Sequence, residues 1–205
     1  MTPLEPTTRW TGWDVRRGAE PRPPRCGDAI DRSAGEGCFE LLALAGRGFR
    51  PPRYLTALGS SDGDPRGKGG DASEEDALRI VWSIAYRRIM ESAPRTADGH
   101  AIYLLGVNPP DGVTEDELET FNDFYTNVHL VEVAERRHAL RAARYELADV
   151  RIAPAGGAPR FLAVYEVDEA GAAQRRHVGP PYSRGPEVWQ RHTTPWRLWF
   201  RRIAQ

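Results

Sequence analysis

Cysteine is nearly absent from this chain. Only Cys26 and Cys38 occur in 205 residues, too few for a disulfide framework, and no Cys/His spacing matches a zinc site. With no secretory signal in MTPLEPTTRW, the two thiols read as free and the setting as cytoplasmic. Lysine is scarcer still: Lys68 is the single one among 28 basic residues, so the cationic groups are arginines. Charge of one sign is lacking too. A formal net charge of −1 argues against a strongly basic nucleic-acid binder. No apolar run approaches the roughly 18 residues of a membrane helix, which argues against a membrane partner. The chain also lacks a GxGxxG or GxxxxGK[ST] phosphate cradle and a GxSxG nucleophile elbow. What remains is an ordinary soluble composition, 40% apolar and 28% charged, consistent with one large or two small domains.

The most informative segment is TEDELETFNDFYTNVH, from Thr114 to His129. Thr114 followed three residues later by Glu117 forms a capping-box pattern. Leu118, Asn122, Tyr125 and His129 follow at helical spacing and share one face. Phe121, Phe124, Val128 and Val131 are expected to hold that helix against a sheet. One helix thus carries an amide, a phenol and an imidazole at a core boundary.

Around it the chain divides into three parts. Residues 1–36 form a Pro/Arg-rich arm without a periodic segment, in which Trp10 and Trp13 suggest anchoring onto the body. Residues 37–93 contain strands at 37–47 and 53–59, a Gly/Asp-rich loop at 60–71, and a segment at 73–90 that fits helix and strand equally. Residues 100–205 read as strand 101–107, helix 115–137, strands 142–151 and 160–167, a short helical piece near 170–176, and a strand at 195–203. That order is β-α-β-β-α-β, a split unit of the ferredoxin-like kind whose open sheet face needs a cover. FELLALAGRGFRPPRYLTALG from Phe39 parallels YELADVRIAPAGGAPRFLAVY from Tyr145, and AYRRI parallels WFRRI. These words suggest a degenerate internal repeat. If the repeat closes a barrel, one chain suffices; otherwise a homodimer is expected.

FNDFYTNVH, RYELAD, PRFLAVYEVDE and WRLWFRRI together resemble the EthD-like branch of the dimeric α/β-barrel superfamily. The likeness covers roughly residues 100–203, with Phe124 where the pattern often has Trp. The resemblance implies an α+β fold: ferredoxin-like units forming a dimeric α/β-barrel with a ligand cavity between sheet and helices. The parallel words leave open whether a degenerate tandem repeat in one chain supplies both units or the likeness is chance similarity of Arg-rich strands. It also implies small, often aromatic or polyketide-like substrates. A superfamily constrains fold far better than reaction.

Among the candidates, His129 can move protons near neutral pH; its plainer reading is a hydrogen bond to a neighbouring carbonyl. Tyr125 and Asn122 could stabilise charge on a substrate oxygen, or pack and bond backbone. Asp123, Tyr103, Trp196 and Trp199 are candidate substrate contacts. Asp123 could instead pair with an arginine, and the aromatics could be plain core. Glu166 reads as solvated, beside an oppositely directed Tyr165. The expected function is cofactor-independent acid/base chemistry on a small hydrophobic carbonyl- or phenol-containing metabolite: cyclisation, isomerisation, elimination or decarboxylation. The rivals are a cofactor-free monooxygenase of an aromatic metabolite and a non-catalytic small-molecule-binding accessory protein. Haem ligation needs only a histidine and an apolar pocket; the reading adopted uses no cofactor and no metal.

Overall fold

Short runs rich in large apolar and aromatic residues, several buried along their whole length, account for most of the described strands. A computed structural model describes residues 7–16, 37–44, 51–59, 78–92, 99–174 and 181–203. Eight strands result: β1 (Thr7–Val15), β2 (Gly37–Leu44), β3 (Tyr54–Gly59), β4 (Leu78–Glu91), β5 (Ala101–Asn108), β6 (Ala139–Ile152), β7 (Phe161–Val167) and β8 (Thr193–Arg202). They hydrogen-bond into a closed barrel in the order β1-β3-β2-β8-β5-β7-β6-β4. Every neighbouring pair is antiparallel.

The two-residue period sorts the side chains onto two faces. Trp10, Trp82, Trp196, Phe39, Tyr145 and Phe200 belong to one buried cluster, which fills the barrel interior. Trp82 lies 4.9 Å from Trp196, and Trp10 meets Tyr145 edge-on at 6.2 Å. The alternate residues of β5 and β7, among them Tyr103, Leu105, Phe161 and Tyr165, point outward into a second cluster. A helical layer covers them. It consists of α1 (Glu115–Phe124), a π-helical turn (Tyr125–His129), α2 (Leu130–Arg136), and the short α3 (Glu169–Ala173) and α4 (Glu187–Gln190).

The expected fold class is therefore corrected. The chain is a closed eight-stranded antiparallel barrel with few, short helices, and not a dimeric α/β-barrel built of ferredoxin-like units. The physical reason lies in the edges. β4 pairs along β6, and β2 along β8, so each set of four strands satisfies the edge groups of the other within one chain. No second chain is needed to complete the barrel.

The arm reading also gives way in part. Residues 7–15 form β1, and Trp10 is a buried interior side chain. The ambiguous segment is β4, fourteen residues of strand. The loop expected at 60–71 lies outside the described residues. The similar words occupy matching places: Phe39 and Tyr145, Leu55 and Leu162, and Tyr86 and Phe200 all belong to the interior cluster. Cys38 is disulfide-bonded rather than free. Spacing could not reveal this, since only folding brings sulfurs within bonding reach; Cys26 lies outside the described residues. Among the described residues, no helix is long and apolar enough to cross a membrane.

Glu166 is buried at the barrel end, contrary to the solvated reading. It accepts from Arg202 Nη2 at 2.5 Å and from the Gly99 backbone N–H at 3.2 Å, with Arg141 Nε 4.0 Å away. Glu166→Gln keeps the shape and removes the charge. Because Arg202 can still reach water, the expected loss is about 2 kcal/mol. It should appear as a lower urea midpoint at unchanged slope; an unaltered midpoint would make the contact incidental.

Candidate functional site

The capping box forms as its spacing predicts. Thr114 Oγ1 accepts from Glu117 N at 3.2 Å, and Glu117 Oε2 accepts from Thr114 N at 3.0 Å. The helix it starts does not stay regular. From Tyr125 to His129 it widens into a π turn, closed by the Leu130 N–H donating to the Tyr125 carbonyl. Such a turn inserts one extra residue, and π turns are frequent at functional sites.

The insertion changes which side chains face the sheet. Phe121, Tyr125, His129, Leu130 and Val133 are buried, whereas Val131, expected on the apolar face, is exposed. The polar residues thus lie in the contact layer itself, on the outer side of the barrel wall. The barrel interior, where a ligand cavity could have been sought, is filled with aromatic side chains.

His129 is 9% exposed. Its ring lies 4.7 Å from Trp189, 5.3 Å from Tyr182 and 6.0 Å from Tyr125. Among the described residues Nδ1 has no hydrogen-bond partner. Burial, with His192 adding a like charge, pushes the imidazole down to about 4, so it is neutral at pH 7. Tyr125 is fully buried and its hydroxyl is likewise without a partner. Burial raises its pKa, keeping it a proton donor.

Asn122 is bonded to an arginine of the facing strand. Its Oδ1 accepts from Arg144 Nη2 at 2.5 Å, and its backbone carbonyl accepts from Arg144 Nη1 at 3.3 Å. It therefore positions an arginine. Asp123 lies outside the group: it is exposed, and its Oδ1 accepts from Asn127 Nδ2 at 2.6 Å. Tyr103 and Trp199 stack at 4.6 Å on the outer wall, and Tyr103 continues to Tyr165 at 5.9 Å. Trp196 is separated from them. Three residues from Trp199 on the same strand, it points to the opposite face, into the barrel interior. Trp196 and Trp199 consequently do not line one pocket.

Trp189 of α4 is the hub of the layer, within 5.3 Å of Phe121, Phe124, Tyr125 and His129. Gly185, with φ of 70°, lets the chain turn into α4 where a Cβ would press 2.6 Å from both Phe124 and Trp189.

The residue that sequence reading missed is Arg144. It is 1% exposed, with its guanidinium 4.3 Å from the Tyr125 ring centroid and 4.5 Å from that of Phe161. Thr126 Oγ1 accepts from its Nη1 at 2.7 Å. The signal was present in AARYEL: on a strand with Ala142 facing the helices, residue 144 faces them as well. An arginine in that register is a buried charge. Tyr165, on the same wall, is also fully buried with an unpartnered hydroxyl. Among the described residues, no group of three or more His, Cys, Asp or Glu is arranged to hold a metal.

Comparison with protein-family models gives no match, and comparison with curated proteins gives none either. Neither result bears on the EthD-like resemblance.

Proposed function

We propose that the layer between the π turn and the outer barrel wall is the site of cofactor-independent acid/base chemistry on a small hydrophobic metabolite. The substrate carries a ketone or phenol. His129 takes a proton from carbon or oxygen, and Tyr125 donates to the oxygen that gains charge. Asn122 acts one step back, by orienting Arg144. Cyclisation, isomerisation, elimination and decarboxylation all pass through such an enolate or phenolate. The resemblance to the EthD-like branch points the same way, as an analogy.

The observation that carries this reading is a group of buried polar atoms without partners in one aromatic layer: His129 Nδ1, Tyr125 Oη and Tyr165 Oη. Each such atom costs about 1–3 kcal/mol when buried unsatisfied. A structural core would not concentrate them, whereas a site that binds a polar group would. His129 suits the task because it is already neutral, and a negative charge forming beside it raises its hold on a proton.

The test needs no knowledge of the natural substrate. Solvent deuterium incorporation beside the carbonyl of 2-tetralone and related bicyclic ketones is followed by proton NMR. The protein is expected to accelerate it, and His129→Phe to lower the rate at least tenfold while the fold persists at pH 7.5. No acceleration with any of these ketones, or an unchanged rate in His129→Phe, overturns the reading. Dioxygen uptake in the same samples would instead favour an oxygenase.

A further inference from the structure

Arg144 is a cation without a counter-ion. Among the described residues it makes no ion pair; its three hydrogen bonds go to neutral acceptors, Asn122 Oδ1, the Asn122 carbonyl and Thr126 Oγ1. Two aromatic rings cover its faces, and Nε–H has no partner. Burial lowers its pKa to about 10, so it stays charged at neutral pH. The carboxylate whose field reaches it, Glu146, is engaged with Arg87 at 2.7 Å and Arg160 at 3.6 Å.

Burying an unpaired charge costs several kcal/mol and is tolerated where a charged partner is to be met. The neighbours of Arg144 match that partner. The Tyr125 and Tyr165 hydroxyls are both unpartnered donors. The guanidinium lies 4.3 Å from the Tyr125 ring centroid, and Tyr165, paired with Ala142, is the diagonal cross-strand neighbour of Arg144. The other charges around the layer are mostly positive. Arg136 and Arg197 act on His129, and Arg137 lies 5.3 Å over the Tyr103 ring. The one carboxylate acting on His129, Glu132, is held by the Ser183 hydroxyl and backbone N–H.

We propose that Arg144 Nε, with the hydroxyls of Tyr125 and Tyr165, binds an oxyanion of the ligand: a carboxylate, phenolate or enolate oxygen carried on a planar apolar body. The guanidinium supplies the charge, the phenols complete the donor set, and Phe121, Phe161 and Trp189 contact the carbon skeleton. This deepens the acid/base reading, because the same donors would hold the charge that proton removal leaves on oxygen. It makes Arg144 a binding residue and commits the site to anionic ligands even if no proton is moved.

Anion and isostere are compared on the full chain at pH 8.5 by isothermal titration, 2-naphthoate against 2-naphthamide and 4-nitrophenolate against 4-nitroanisole. At least one anion is expected to bind tenfold or more tightly than its neutral counterpart, and which one does so distinguishes carboxylate from phenolate. Arg144→Gln should reduce that preference below twofold, and Tyr165→Phe should reduce it about threefold. In nitrogen-15-labelled protein the Arg144 Nε–H resonance should move on saturation with the anion and stay in place with the neutral compound. Equal affinities in the unaltered protein, a preference that survives in folded Arg144→Gln, or an unmoved resonance while the anion binds would overturn the proposal. If Arg144→Gln does not fold, Tyr165→Phe and the resonance decide. Deuterium exchange without anion preference would leave the acid/base reading standing and this one fallen; the reverse pattern would do the opposite.

Discussion

Replacing Trp82 by alanine is expected to lower the unfolding free energy by about 3–5 kcal/mol, the range for truncating a large buried aromatic. Trp82 is 2% exposed and belongs to the interior cluster, with Trp196 at 4.9 Å. An eight-stranded barrel leaves an interior just wide enough for its side chains, so the lost indole cannot be replaced by a small shift of the wall. Its cross-strand partner makes the test specific. Gly12 lies opposite Trp82, immediately before the register shift that sets Trp13 against Ile80. A Cβ on Gly12 would stand 2.4 Å from Trp82 Nε1 and 2.6 Å from Cδ1. Gly12→Ala alone should therefore cost about 1–3 kcal/mol by overpacking. In the Trp82→Ala background the clash is gone and the added methyl should cost little. Urea unfolding of the four proteins closes the double-mutant cycle. Losses that simply add would mean the indole is not what requires glycine there.

This pair also shows why some of the fold escaped sequence reading. TTRWTGWDV carries Arg, Thr, Gly and Asp around two tryptophans, and its polar content masks a strand whose inward residue is Trp10. Pattern reading counts apolar positions, whereas a barrel strand opposite a large ring needs a small residue such as Gly12 to make room. The second half was legible because its strands carry continuous apolar runs, as in FLAVYEV, and because Thr114 and Glu117 announce the helix. The barrel closure was not legible. It depends on β4 meeting β6 and β2 meeting β8, contacts between residues far apart in the chain with no local signature. The site was half legible for a related reason. His129 and Tyr125 stand out by helical spacing, but their true orientation depends on the π turn, and spacing alone assumes a regular helix. Arg144 and Tyr165 come from strands opposite, and only the packing of helix on sheet brings them together. Trp196 was placed with Trp199 because tryptophans near one another in sequence invite grouping. A strand sends residues three apart to opposite faces.

Acid should weaken this protein through His129, by an amount its burial sets. The imidazole is pushed from 6.5 to about 4 by burial first, then by the charges of His192, Arg136 and Arg197, with Glu132 opposing them. Between those two values the unfolded chain binds a proton at this position and the folded chain does not. The contribution is thus complete above pH 6.5 and is lost as pH falls through about 4. The displacement corresponds to about 3 kcal/mol. His129→Phe removes the group while keeping an aromatic ring against Trp189. The stability difference between the two proteins should therefore shift by about 3 kcal/mol in favour of the variant from pH 7.5 to pH 4, since every other titrating group is common to both. Urea unfolding at half-unit pH steps measures it, and parallel curves would show that His129 titrates normally. The same experiment with saturating 2-naphthoate carries the argument into the site. An anion seated on Arg144, with Tyr125 adjoining both side chains, lowers the cost of charging the imidazole. The folded-state value should rise toward 6.5, and the stability lost between pH 7.5 and pH 4 should shrink. A histidine buried only for packing would have no reason to respond to that ligand.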